Sequence, residues 1–177
     1  RMEEAYCNLC LIYAAQRNYS KAIEAFKKAI TLKPGNPYTL NGLGTVLYAK
    51  GKLSEALENW KRAVEVDSSF ASAYFNIGNA YENEKDTTKA LKNYVQALKI
   101  NPSMADAYYK IGSLFSRQKH VAQANTMLAR AVQLAPDAEF VAEARKQLDV
   151  IEGQFSREDG AEPQVKMNVV APEGVGK

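Results

Sequence analysis

Residues 7–10 read Cys-Asn-Leu-Cys, and these are the only two cysteines in the chain. A C-x-x-C pair can be a redox couple, half of a zinc site, or a pair of small packing groups with no chemistry. Zinc asks for four ligands, and the one histidine, His120, lies far along the chain. A thioredoxin-type couple needs a βαβ setting that the flanking "RMEEAYCNLCLIYAAQ" does not offer. No G-x-S-x-G, P-loop or H-E-x-x-H occurs anywhere in the sequence. His120 has no evident partner that would make it a base, and the carboxylates scatter over positions expected to face water. These residues predict a non-enzyme without cofactor or metal.

The elements that carry these residues are set by a repeat. The segments "YSKAIEAFKKAITLKPGN", "LSEALENWKRAVEVDSSF", "TTKALKNYVQALKINPSM" and "VAQANTMLARAVQLAPDA" align without gaps at a spacing of 34 residues. Alanine recurs at Ala22, Ala56, Ala90 and Ala124, and again at Ala29, Ala63, Ala97 and Ala131. Phe26, Trp60, Tyr94 and Leu128 lie between them. The preceding halves repeat Tyr6, Leu40, Tyr74 and Tyr108, then Leu9, Leu43, Ile77 and Ile111. Cys10, Gly44, Gly78 and Gly112 follow, and then Tyr13, Leu47, Tyr81 and Phe115. Apolar spacings of three and four predict two helices per repeat. Small residues permit close helix approach, and aromatics fill the space beside them. Ser20, Ser54 and Thr88 stand where the second helix wants an N-cap. Pro34, Pro102 and Pro136 fall where that helix should stop. Asn36-Pro37 offers a cap and a first-turn proline.

This pattern resembles the tetratricopeptide repeat family over residues 3–138. The resemblance implies an all-α solenoid, a right-handed superhelix of antiparallel helix pairs, with repeats 3–36, 37–70, 71–104 and 105–138. Leu40, Ser68 and Leu128 depart from the usual residues, and Cys10 replaces the usual glycine of repeat 1. That replacement favours the packing reading of the C-x-x-C, since a thiol is a small, weak hydrophobe. Cys7, one turn earlier, should face the groove.

A solenoid needs its ends covered. Residues 139–155 read as a capping helix, with an apolar stripe of Val141, Ala144, Leu148, Ile151 and Phe155 opposite Glu143, Arg145, Lys146 and Glu152. No comparable cap precedes Tyr6 and Leu9. Residues 156–177 read as an extended tail with a sticky centre at Val165, Met167, Val169 and Val170, which a groove of this or a neighbouring chain could hold.

Hydrophobic residues make up 46% of the 177 residues and charged ones 24%, as expected of a chain that folds in water. A net charge of +3 is too small to argue for nucleic acid. Apolar runs are too short for a membrane span, and no secretory signal opens the chain. Arg1 in place of an initiator Met suggests a piece of a longer protein. With two cysteines and no framework of bridges, the default compartment is the cytoplasm.

The resemblance implies that the first helix of each pair lines a concave groove. Carried over, repeat 1 offers Glu4, Cys7, Asn8 and Leu11, and repeat 2 offers Tyr38, Asn41, Thr45 and Tyr48. Repeat 3 offers Ser72, Phe75, Asn76, Asn79 and Glu82, and repeat 4 offers Asp106, Tyr109, Lys110, Ser113 and Arg117. Tyr38, Tyr48, Phe75 and Tyr109 form what should be an exposed aromatic strip, the residue type that anchors interfaces. Asn8, Asn41, Asn76 and Asn79 could bond a peptide backbone, because amides both donate and accept. Two known uses of the family fit poorly. The carboxylate clamp for chaperone tails matches only at Asn76 and Lys110, and the asparagine ladder of sugar-transferring relatives is broken at Gly42 and Lys110.

The expected function is a protein-protein interaction module holding a peptide or helix of a partner. The alternatives are a self-assembling scaffold, of the kind found in some bacterial organelles, joined through the tail or the uncapped N-terminal end, and the targeting arm of a larger enzyme.

Overall fold

The computed structural model describes residues 2–158. The helices are α1 (Met2–Ala15), α2 (Tyr19–Leu32), α3 (Pro37–Ala49), α4 (Leu53–Val66), α5 (Ala71–Asn83), α6 (Thr87–Ile100), α7 (Ala105–Arg117), α8 (Val121–Leu134) and α9 (Val141–Glu158). Each helix packs on the next in sequence, so four antiparallel pairs stack side by side and α9 closes on α8. No strand occurs among the described residues.

The prolines act as expected. α2, α6 and α8 end at Leu32, Ile100 and Leu134, two residues before Pro34, Pro102 and Pro136. Pro37 opens α3, and the Asn36 side chain accepts from the backbone N–H groups of Tyr38 and Thr39.

The second-helix caps lie two residues earlier than expected. Asn18 and Asp86, not Ser20 and Thr88, accept from the N–H groups of Lys21 and Lys89. In the repeat holding Ser54 the cap position is Lys52, which makes no side-chain cap bond. The turn before each cap fixes this placement. Arg17, Gly51, Lys85 and Lys119 recur at equivalent positions with φ of 55, 80, 61 and 60°. One left-handed residue ends each first helix, and the second helix then starts at once.

The core runs through the array as linked clusters of Leu43, Val46, Leu47, Trp60 and Ile77, then Tyr94, Ile111 and Leu114, then Leu128, Ala144 and Ile151. The recurring alanines Ala22, Ala56, Ala90 and Ala124, and Ala29, Ala63, Ala97 and Ala131, are fully buried, which brings neighbouring helices close. Gly44 and Gly78 serve the same end. A Cβ at either would stand 2.6 and 2.5 Å from the rings of Trp60 and Tyr94.

In repeat 1 the contact is rearranged. Cys10 is fully buried in the small-residue slot. The Phe26 ring lies instead against Gly42 of the following helix, where a Cβ would come within 2.7 Å.

α9 begins at Val141 and continues to Glu158, so it overruns the expected helix at 139–155, and residues 156–158 are helical, not tail. Val141, Ala144 and Ile151 are buried, while Glu143, Arg145 and Lys146 face out. Residues 159–177 of the expected tail, and the side chains of Glu4, Glu152 and Phe155, lie outside what is described.

Candidate functional site

The first helices α1, α3, α5 and α7 run next to one another, and contacts between them are spaced by about one repeat. Asn76 Nδ2 donates to Asn41 Oδ1 at 2.9 Å, and Asn83 Nδ2 donates to Tyr48 Oη. Arg117 donates to Glu82, and Ser113 Oγ donates to Gln147 Oε1 of α9 at 3.2 Å. Cys7 Sγ lies 3.6 Å from Thr39 Oγ1. These bonds tie adjacent first helices in one register.

Three cavities open along this face. The first, of about 470 Å³, is lined by Cys7, Asn8, Leu11, Phe26, Tyr38 and Gly42, with Lys33, Asn36 and Thr39. A second, of about 450 Å³, is lined by Phe75, Tyr109 and Phe140 together with Asp106, Lys110, Ala138 and Glu139. The third, of about 430 Å³, holds the charged groups Glu82, Lys110, Arg117 and Glu143 beside Tyr109, Ser113, Ser116 and Gln147.

The expected aromatic strip is only partly exposed. Tyr38 is 71% exposed and meets Phe70 edge-on at 4.9 Å. Tyr48, Phe75 and Tyr109 are half-buried. Each has an aromatic partner: Tyr48 packs on Trp60 at 5.6 Å, Phe75 on Tyr94 at 5.5 Å, and Tyr109 stacks on Phe140 at 4.8 Å with 13° between planes. These rings belong partly to the core, and Phe75 and Tyr109 also line the second cavity, whereas Tyr48 lines none of the three. Leu11, at 66% exposure, is the apolar groove residue most open to water after Tyr38.

The amides divide likewise. Asn8 is exposed, whereas Asn41 and Asn76 bond each other. The Tyr94 hydroxyl lies 2.8 Å from both Asn79 Oδ1 and Glu82 Oε2, so its one proton serves two acceptors. Thr45 is exposed and its hydroxyl donates to the Asn41 carbonyl at 3.1 Å. An incoming peptide would have to use the remaining lone pairs and protons of these groups, or displace the bonds.

Glu82 is the electrostatic centre of the face. Lys110 Nζ lies 3.2 Å from Oε2, and Arg117 bonds Oε1. Burial alone would raise this carboxyl. The bonds from Tyr94 and Arg117 and the charge of Lys110 outweigh burial and hold it below its usual range. Tyr94 shifts the other way. Burial raises it strongly, and the nearby Glu82 carboxylate adds to this. Burial, with Cys7 close by, pushes the Cys10 thiol up to about 12.

His120 is exposed at the start of α8, with its ring 5.9 Å from that of Phe115. Among the described residues no three metal-ligating side chains converge, and no helix is long and apolar enough to cross a membrane. Sequence reasoning passed over Gln147, Phe140 and Lys33, because they lie on α9 or in loops outside the first-helix pattern.

Tetratricopeptide repeat sequence profiles match residues 3–36, 71–104 and 106–138, and a related profile described as TPR repeat matches 44–85. No curated protein matches. Among solved structures, MamA is 26% identical, with a TM-score of 0.70 over 82% of this chain and 84% of its own. YrrB, described as a TPR protein with an unusual peptide-binding site, is 28% identical, with a TM-score of 0.66 over 81% of this chain and 74% of its own. A tetratricopeptide repeat protein from Parabacteroides merdae shares the fold at 22% identity and a TM-score of 0.72, over 88% of this chain and 62% of its own.

Proposed function

This chain belongs to the tetratricopeptide repeat family, and we propose that it is a non-catalytic adaptor that holds a peptide or helix of another protein against α1, α3, α5 and α7. The observation that carries the reading is the row of cavities along these helices, apolar at Leu11, Phe26 and Tyr38, apolar again at Phe75, Tyr109 and Phe140, and charged at Glu82, Lys110 and Arg117. Concave, mainly apolar sites with a few fixed polar groups are what ligands bury themselves in. The similarity to YrrB, whose peptide-binding site is named in its description, agrees with this assignment.

The partner residues are Asn8, Leu11, Tyr38, Asn41, Thr45, Tyr48, Phe75, Asn76, Asn79, Tyr109, Lys110 and Ser113. Leu11 and Tyr38 supply exposed apolar area. Phe75 and Tyr109 supply rigid ring edges, fixed by packing on Tyr94 and Phe140. Such anchors carry most of the energy in interfaces of this kind.

The test is selection of peptides from a random displayed library on the immobilised chain, followed by equilibrium binding of the winners. Leu11→Ser with Tyr38→Ser should weaken them about tenfold or more, because both side chains are exposed and the fold keeps its core. Winners whose affinity ignores these changes, and ignores Arg117→Ala as well, would remove the groove as the binding site.

A further inference from the structure

The second cavity is walled by the rings of Phe75, Tyr109 and Phe140, and its charged lining is Asp106, Glu139 and Lys110. The rings come from three separate places: Phe75 from α5, Tyr109 from α7, and Phe140 from the turn just before α9. Tyr109 and Phe140 stack at 4.8 Å with 13° between planes, so they lie side by side as a pair of nearly parallel rings. The face of an aromatic ring is electron-rich and attracts a cation.

The charges around the rings are not evenly matched. Lys110 Nζ lies 3.2 Å from Glu82 Oε2, so this lysine is already paired. Arg117, in the adjoining third cavity, is bonded to the same carboxylate. Asp106 and Glu139 are exposed, and neither makes an ion pair among the described residues. The second and third cavities share Tyr109 and Lys110, and their linings together hold four carboxylates against two cations. This stretch of the groove is therefore net negative in a chain whose formal net charge is +3.

We infer that the second cavity receives an arginine side chain of the partner peptide, its guanidinium stacked on the aromatic lining and bonded at its edge to Asp106 and Glu139. This names the chemistry of the partner proposed above and rests on that proposal. A guanidinium suits the cavity better than an ammonium, because its plane can lie on a ring while its edge donates to carboxylates. Its methylene stem adds apolar area for the rings to cover. A partner carboxylate does not suit the cavity. Lys110 and Arg117 would have to leave Glu82 to meet it, and Asp106 and Glu139 would repel it.

The experiment screens synthetic nonapeptide libraries against the full chain. The central residue is fixed as arginine, lysine, citrulline or glutamate, and the other positions are random but exclude arginine and lysine. Arginine-centred peptides should bind best. Changing their arginine to citrulline, which keeps the shape and loses the charge, should weaken them about tenfold. Asp106→Asn with Glu139→Gln should cost a similar factor. Glu58→Gln with Glu65→Gln on α4, the same change in charge outside the three cavities, should cost less than about twofold. Phe140→Leu, which keeps an apolar side chain but removes a ring, should shrink the preference for arginine over lysine.

Peptides that are weakened by Leu11→Ser with Tyr38→Ser, yet respond neither to citrulline nor to Asp106→Asn with Glu139→Gln, would leave the groove standing and overturn the arginine site. Best binding by the glutamate library would overturn it too. Failure of every library to bind would overturn both readings. An affinity gain of about tenfold from Lys166→Gln with Lys177→Gln would make the chain's own residues 159–177 the occupant, and a partner arginine would be ruled out.

Discussion

Phe26 presses on Gly42 so closely that a Cβ at position 42 would stand 2.7 Å from its Cε1 and Cζ atoms. In the two following repeats the equivalent ring sits against a glycine of its own repeat, Gly44 under Trp60 and Gly78 under Tyr94. Cys10 fills that slot in repeat 1, and the space appears one helix further on. The two residues therefore exchange volume across the α1–α3 contact.

Gly42→Ala should destabilise the fold by about 1–3 kcal/mol, the usual cost of overpacking a filled site. Adding Cys10→Gly should recover part of this loss, because the ring regains the slot its counterparts use. Thermal or denaturant unfolding of the two single variants and the double variant measures the coupling. Additive losses would show that positions 10 and 42 do not share the ring.

Glu82 should make stability depend on acid. Its folded value lies below the ordinary 4.5, so the unfolded chain takes up the proton first. The stabilisation is fully present above about pH 5 and is lost as pH falls through 4.5 and then through the folded value. Glu82→Gln should therefore flatten the fall in stability below pH 5 while costing about 1–3 kcal/mol at pH 7. Denaturant midpoints of both proteins between pH 3 and pH 7 provide the check. Parallel curves would mean that the Tyr94, Lys110 and Arg117 contacts do not set this carboxyl.

The cysteines should differ sharply in reactivity. Burial holds the Cys10 thiol near 12, far above neutral pH, whereas Cys7 is only half-buried and opens onto the first cavity. At pH 8 iodoacetamide should modify Cys7 and leave Cys10 untouched until denaturant is added. Mass spectrometry of the peptide carrying both residues reads the outcome, and equal labelling of both thiols in the folded protein would contradict the packing described for α1.

Most of the fold was legible because its causes recur. Ala22, Ala56, Ala90 and Ala124 mark close helix contacts, and Pro34, Pro102 and Pro136 mark stops, each fixed by local sterics. The caps were misplaced because Ser20 and Thr88 have capping chemistry, while the backbone leaves the left-handed residue two positions earlier, at Asn18 and Asp86. The groove was legible as a set of positions but not as a set of contacts. Asn41 meets Asn76, and Glu82 meets Arg117, at a separation of 35 residues. That offset comes from how neighbouring first helices are staggered, which no single repeat records. Tyr48, Phe75 and Tyr109 looked exposed by pattern, yet each ring is long enough to lean onto an aromatic neighbour.

The proposed peptide site lies on the face of α1, α3, α5 and α7. The most direct measurement is chemical-shift mapping of the isotopically labelled chain with a library-selected peptide. Saturable shifts are expected to cluster at Asn8, Leu11, Tyr38, Thr45, Tyr109 and Ser113, with Lys27, Lys61 and Arg130 on the second helices unmoved. Shifts that cluster on the second helices while the groove residues stay still would contradict it.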